Sequence, residues 1–230
     1  MKKLFWLMLF LLCLSQPAWA GLKEGHEAFL NKDYKKAFAE VKPVADKGNP
    51  KAQRIIAFFF LNGYGVTKDP QKAFDWYKKS ATQGDARAQY AVGYMYEQGN
   101  VVGKNLEEAA LWYKKSANQG SPLAQNNLGH LYEIGEGVPQ DNKEAFQWYT
   151  KAANLGNPIS QLNLGRIYTV GKGVPKDYVK AYKWYTLAIR QGNQEAIKWR
   201  ILVANKMTPQ QIDEAEELAG EWKPPAPQEK

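Results

Sequence analysis

The dipeptide Trp-Tyr occurs at Trp76-Tyr77, Trp112-Tyr113, Trp148-Tyr149 and Trp184-Tyr185, and each step is 36 residues. Gly84, Gly120, Gly156 and Gly192 keep the same step, as do Ala73, Ala109, Ala145 and Ala181, and Gln53, Gln89, Gln125 and Gln161. A fixed period of this length admits only an array of stacked supersecondary units, each unable to bury its apolar face alone. The units run 50–85, 86–121, 122–157 and 158–193.

Each unit reads as two antiparallel helices. In 122–157, Ala124, Leu128, Leu131 and Tyr132 form an apolar stripe at helical spacing. Gly129 interrupts that helix at a cost of about 1 kcal/mol relative to Ala. Gly93 and Gly165 repeat it and Ala57 replaces it, so a close approach from the second helix is expected there. The second helix starts at Asp141, matched by Asp69, Asn105 and Asp177, all side chains that accept from free N–H groups at a helix start. Glu108 and Glu144, three residues on, are placed to reach back to the cap. Gly156 and its equivalents suit a left-handed terminus. Between the helices, Gly135-Glu136-Gly137-Val138-Pro139 recurs as Gly63-Tyr64-Gly65-Val66 and as Gly171-Lys172-Gly173-Val174-Pro175, whereas 86–121 has Val101 in place of the second glycine. No strand precedes these glycines and no Lys-Ser/Thr follows them, so they are turns and not a phosphate cradle.

The flanks obey the period more loosely. Asp33, Ala37, Ala45 and Gly48 align with later caps, alanines and glycines, which predicts a shortened N-terminal capping pair within 21–49. At the other end, residues 194–206 read as one more first helix. Thr208-Pro209-Gln210-Gln211 then opens a last helix with a capping box, so 194–222 is a C-terminal cap. Residues 223–230, with three prolines, read as a disordered tail. The fold class is all-α, a solenoid of about six antiparallel helix pairs.

Residues 1–20 read as a signal peptide. Lys2 and Lys3 precede an apolar run at 4–14, too short to span a bilayer, and Ala18-Trp19-Ala20 fits a cleavage site before Gly21. A periplasmic or secreted protein without stable membrane insertion follows. Export would remove Cys13, the only cysteine. The formal net charge of +8, which falls to about +6 once Lys2 and Lys3 are removed (29 basic against 23 acidic residues), then describes a lysine-rich solvated surface on a chain exported away from nucleic acid.

The pattern A-Q-x-x-L-G-x-x-Y-x-x-G-x-G-V-x-x-D-x-x-x-A-x-x-W-Y-x-K-A-A-x-x-G, nearly complete in 122–157, resembles the Sel-one-like repeat of the tetratricopeptide-like α-solenoids. The resemblance implies a right-handed superhelix with a concave face and a role as adaptor or scaffold for another protein. An envelope-assembly protein, a signalling protein or a secreted toxin is the expected kind of partner. Some secreted members carry β-lactamase or penicillin-binding activity, which is the alternative reading; those members have a disulfide in each repeat, and this chain lacks the cysteines.

The residues offer little chemistry of their own. His26 and His130 fall in different helix pairs, and no metal-ligand spacing occurs, so neither metal nor cofactor is expected. The familiar serine-nucleophile motifs are absent, so no catalytic residue is named. The Trp-Tyr pairs, set beside the recurring alanines, read as the packing seam. Binding residues are therefore sought at variable positions of the first helices. Arg54 and Phe58, Tyr90 and Tyr94, Asn126 and His130, and Leu162 and Arg166, with Leu61, Glu97, Glu133 and Thr169 a turn further on, are expected to line the concave face. Aromatics and arginine dominate interface energetics.

Overall fold

The computed structural model describes residues 17–223. Among them are twelve α-helices and no strand: α1 (Pro17–Leu30), α2 (Tyr34–Asp46), α3 (Pro50–Asn62), α4 (Pro70–Thr82), α5 (Ala86–Gln98), α6 (Leu106–Asn118), α7 (Pro122–Ile134), α8 (Asn142–Asn154), α9 (Pro158–Val170), α10 (Tyr178–Arg190), α11 (Glu195–Ala204) and α12 (Pro209–Glu221). The chain divides into two compact units, one ending at Lys104 and the other starting at Asn105. The first holds α1–α5 and the second α6–α12. Within each, consecutive helices pack as antiparallel pairs, the arrangement of an α-solenoid.

Side-chain caps set the helix starts. Asp69, Asn105, Asp141 and Asp177 accept from the backbone N–H three residues on, as their recurrence predicts. The first helices are capped in the same way by Asn49, Asp85, Ser121 and Asn157, a second series that varies too much in identity to stand out in the sequence. Thr208 and Gln211 form the expected capping box. Glu108 and Glu144 do something else: each accepts from the indole N–H one turn later, Trp112 at 2.9 Å and Trp148 at 3.1 Å.

The seam is aromatic. Tyr113, Tyr149 and Tyr185 are fully buried, and Trp112, Trp148 and Trp184 nearly so. Lysines one turn on cover the indoles: Lys115 lies 4.1 Å from the Trp112 ring and Lys151 3.9 Å from that of Trp148. The mid-helix glycines now have a cause. A Cβ at Gly129 would stand 3.0 Å from the Tyr149 ring, and one at Gly165 would overlap the Tyr185 ring. The close approach is therefore by the tyrosine of the seam pair. The second loop glycine has a separate reason: Gly137 has φ +71° and lies against the Leu106 backbone, and Gly65 lies likewise against Tyr34.

The buried glutamines form a ladder. Gln53, Gln89, Gln125 and Gln161 each donate to the carbonyl eight residues earlier, at the end of the preceding helix, at 3.0–3.3 Å. Gln83 and Gln191 in turn donate to the side-chain oxygens of Gln53 and Gln161, at 2.7 and 2.8 Å. Leu155 occupies that register in 122–157 and has no side-chain N–H to offer. The Oε1 of Gln125 is consequently buried without a partner.

The ends depart from the repeat. The first pair is formed by helices of 14 and 13 residues, the first of which includes residues 17–20 of the expected leader. Gly21 and Gly25 let α1 rest close on Glu40, Val41 and Val44 of α2. The cut expected between Ala20 and Gly21 falls one turn inside α1; the rest of that leader and residues 224–230 lie outside the described residues. At the other end, α12 packs chiefly against α10, through Tyr182 donating to Glu216 at 3.0 Å and Arg190 to the Ala219 carbonyl at 2.6 Å.

Candidate binding face

In the first helices the accessible side chains recur at one spacing. Lys51, Ile55, Phe58 and Asn62 form an outward stripe on α3; Arg87, Ala91, Tyr94 and Gln98 on α5; Leu123, Asn127, His130 and Ile134 on α7; Ile159, Asn163, Arg166 and Val170 on α9. The steps of four, three and four residues keep each set on one helix face. The expected positions Phe58, Tyr94, His130 and Arg166 are the third member of each stripe, and all four are exposed, Phe58 to 40% and Tyr94 to 45%. The other three registers escaped the sequence reading. Ile55 and Ala91 give no polar signal, and the terminal members look like ordinary helix ends.

The register one residue-step aside, at 54, 90, 126 and 162, flanks the stripe and is mostly committed to structure. Arg54 is half-buried and pairs with Asp85, the N-cap of α5, at 3.2 Å. Asn126 accepts from the Ser160 hydroxyl at 2.8 Å and from Asn163 at 3.5 Å, tying α7 to α9. Leu162 is only 4% exposed and packs with Ala181, Tyr182 and Tyr185, so it serves the core. Tyr90 is partly buried, with its ring stacked on Tyr94 at a centroid distance of 6.3 Å. Burial, with the Tyr94 ring and Glu97 nearby, raises its hydroxyl above the ordinary tyrosine pKa. One turn on, Leu61, Glu97 and Glu133 are partly accessible and Thr169 is buried, hydrogen-bonded to the Tyr185 hydroxyl at 2.9 Å.

Glu133 holds the most structured position of the set. It accepts from the Tyr149 hydroxyl at 2.9 Å and pairs with Lys172 at 3.5 Å. Burial first, and the Glu133 carboxylate second, push the Tyr149 phenol well above its usual pKa. Arg166 makes no ion pair among the described residues; its guanidinium lies 5.7 Å from the ring of Trp199 on α11. Trp199 follows Asn127 and Asn163 by successive repeat steps, as Ala196 follows Ala124, although α11 lacks the Gln and Gly of the repeat.

At the outer end of the first unit, α1, α2 and α3 enclose an apolar cleft of about 170 Å³ lined by Leu22, His26, Phe29, Val41 and Phe58. Phe29 there touches Tyr34, Phe58, Phe59 and Tyr64. Among the described residues no three His, Cys, Asp or Glu side chains converge to hold a metal ion, and no helix is long and apolar enough to cross a membrane.

The family model of the Sel1 repeat matches residues 50–85, 86–121, 122–157 and 158–193. The chain belongs to the Sel1 repeat family. This family generally supplies protein-interaction scaffolds, and its fold is typically non-catalytic. Among solved structures, a Sel1 repeat protein from Oxalobacter formigenes is similar at 31% identity and TM-score 0.76, over 90% of this chain and 82% of that one. The protective antigen c5321 of uropathogenic Escherichia coli, which displays an SLR fold, is similar at 28% identity and TM-score 0.61. That alignment covers 89% of this chain but only 53% of the antigen. The immunity protein Pa5087 from Pseudomonas aeruginosa, at 24% identity and TM-score 0.52 over 90% and 82% of the two chains, shares the fold. No curated protein matches the chain in sequence.

Proposed function

We propose that this Sel1 repeat protein is an exported, non-catalytic scaffold that binds a protein partner on the outward stripes of its first helices. One observation carries the reading. The side chains at the 58/94/130/166 register are large or charged, differ from repeat to repeat, and stay exposed, while the adjacent 57/93/129/165 and 59/95/131/167 registers are buried throughout. Phe58 packs in part against Phe29 and Tyr94 against Tyr90, yet each keeps two-fifths or more of its surface in solvent, and such side chains are the usual anchors of an interface. The partner's place is the envelope or beyond, in keeping with the leader-like residues 1–20.

The test is affinity capture from an envelope extract with wild-type chain, Tyr94→Ala and Lys114→Ala, all shown to be folded by circular dichroism. Lys114 is exposed on a second helix, away from the stripe. Loss of a specific partner with Tyr94→Ala alone is the expected result. Loss with Lys114→Ala alone places the binding face on the second helices and refutes the reading.

A further inference from the structure

The two stripes of α7 and α9 have the same chemical order. Each runs from an apolar residue (Leu123, Ile159) through an amide (Asn127, Asn163) and a cation or imidazole (His130, Arg166) to a second apolar residue (Ile134, Val170). All four apolar side chains are exposed, Val170 to 67%. The hydrogen bonds of Asn126 with Ser160 and Asn163 make the two stripes neighbours on one rigid surface. Neither stripe contains an acid. Nearby Glu133 is already engaged by Tyr149 and Lys172, and Glu195 by Lys198 at 3.3 Å. Arg166 is therefore a cation that makes no ion pair among the described residues, steadied by Trp199 and in weak electrostatic reach of Glu195, at the centre of stripes that themselves carry no acid.

From this we infer that the strip between α7 and α9 binds an extended acidic peptide segment in which one carboxylate is flanked by two apolar side chains. The inference rests on the scaffold reading above and gives the partner its chemistry. Charge complementarity selects a carboxylate for Arg166, and the His130 imidazole beside it can donate a hydrogen bond. Helical rise then sets the spacing. Ile159 to Arg166 spans about 10 Å and Arg166 to Val170 about 6 Å at 1.5 Å per residue. An extended chain covers those distances in about three and two residues. The segment thus reads apolar-x-x-acid-x-apolar, or its reverse for the opposite polarity. A helical segment fits less well. Its backbone amides are internally satisfied, whereas Asn163 keeps an Oδ1 that accepts no hydrogen bond among the described residues and suits an unpaired peptide N–H.

The probe is a pool of fluorescein-labelled hexapeptides, blocked at both ends, with Leu at the first and sixth positions, Glu at the fourth or third, and the rest randomised without charges. Polarisation is expected to show saturable binding that weakens at least tenfold when Glu becomes Gln, and by a similar factor in Arg166→Ala. Exposed Lys143→Ala on α8 should leave binding unchanged. An Arg166→Ala chain that loses its helical circular dichroism is replaced by Arg166→Gln. Three results overturn the inference: no difference between Glu and Gln pools, no effect of Arg166 replacement, or preference for a helix-spaced peptide with Leu, Glu and Leu at its first, eighth and twelfth positions. If the hexapeptides fail while the captured partner still depends on Tyr94, the strip is wrong and the scaffold reading stands. If neither the hexapeptides nor a Tyr94-dependent partner is found, both fall.

Discussion

The substitution Leu155→Gln tests the glutamine ladder at its one broken rung. In the pairs ending at Gln83 and Gln191, a glutamine donates to the Oε1 of Gln53 or Gln161. In the pair ending at Leu155, the Oε1 of Gln125 is buried without a partner. A buried acceptor left unsatisfied costs about 1–3 kcal/mol. Restoring the donor should recover much of that. Two opposing terms reduce the gain in the single variant. The half-buried leucine gives up about 1 kcal/mol of apolar burial, and glutamine loses up to about 1 kcal/mol more rotamer freedom. A double-mutant cycle removes both, because they recur when the same change is made in a Gln125→Met background. The coupling between the two positions is expected to be about 1–2 kcal/mol, read from urea midpoints at unchanged m-value. A coupling below about 0.3 kcal/mol means that the Gln125 oxygen is not starved of a donor, and the ladder argument fails.

Two further outcomes follow from the seam. Gly165→Ala should destabilise by about 1–3 kcal/mol by overpacking against the Tyr185 ring, although alanine is the better helix former; a gain in thermal midpoint would show that the ring moves aside freely. Alkaline pH should unfold the chain through its buried phenols. Burial lifts Tyr77 and Tyr185 from 10.0 to about 12, so the folded form holds protons the unfolded form has lost. Their contribution is complete below pH 10 and is lost as pH rises towards 12, by about 2–3 kcal/mol for each ring. Denaturation midpoints that stay flat from pH 9 to pH 12 would contradict it.

Most of the architecture was legible because the repeat imposes one packing solution several times. Trp-Tyr, the mid-helix glycine and the helix-start Asp or Asn each recur in register, and each proved to have a single structural cause. What stayed hidden depended on partners in other helices. Glu108 and Glu144 sit where a cap would want them, yet the indoles of Trp112 and Trp148 compete for their carboxylates. Leu162 looked like a surface residue because its register holds Arg54, Tyr90 and Asn126 elsewhere; only the packing of α10 buries it. Of the candidate face, the exposed register was readable from its variability, and the apolar ends of the stripes were not, since a leucine or valine at a helix terminus carries no sign of which way it faces.

The backward fold of α12 sets the terms on which the array can change length. Ile201 occupies on α11 the register that Gly129 and Gly165 hold on α7 and α9, and it is 56% exposed. A tyrosine-bearing second helix needs a glycine or alanine at that position to close on its partner, so α11 offers no seat for a further pair of that kind. Modules can be added or lost only upstream of it, by whole 36-residue steps that return each tyrosine to a glycine or alanine. A graft after Lys206 would meet the isoleucine and find no seat.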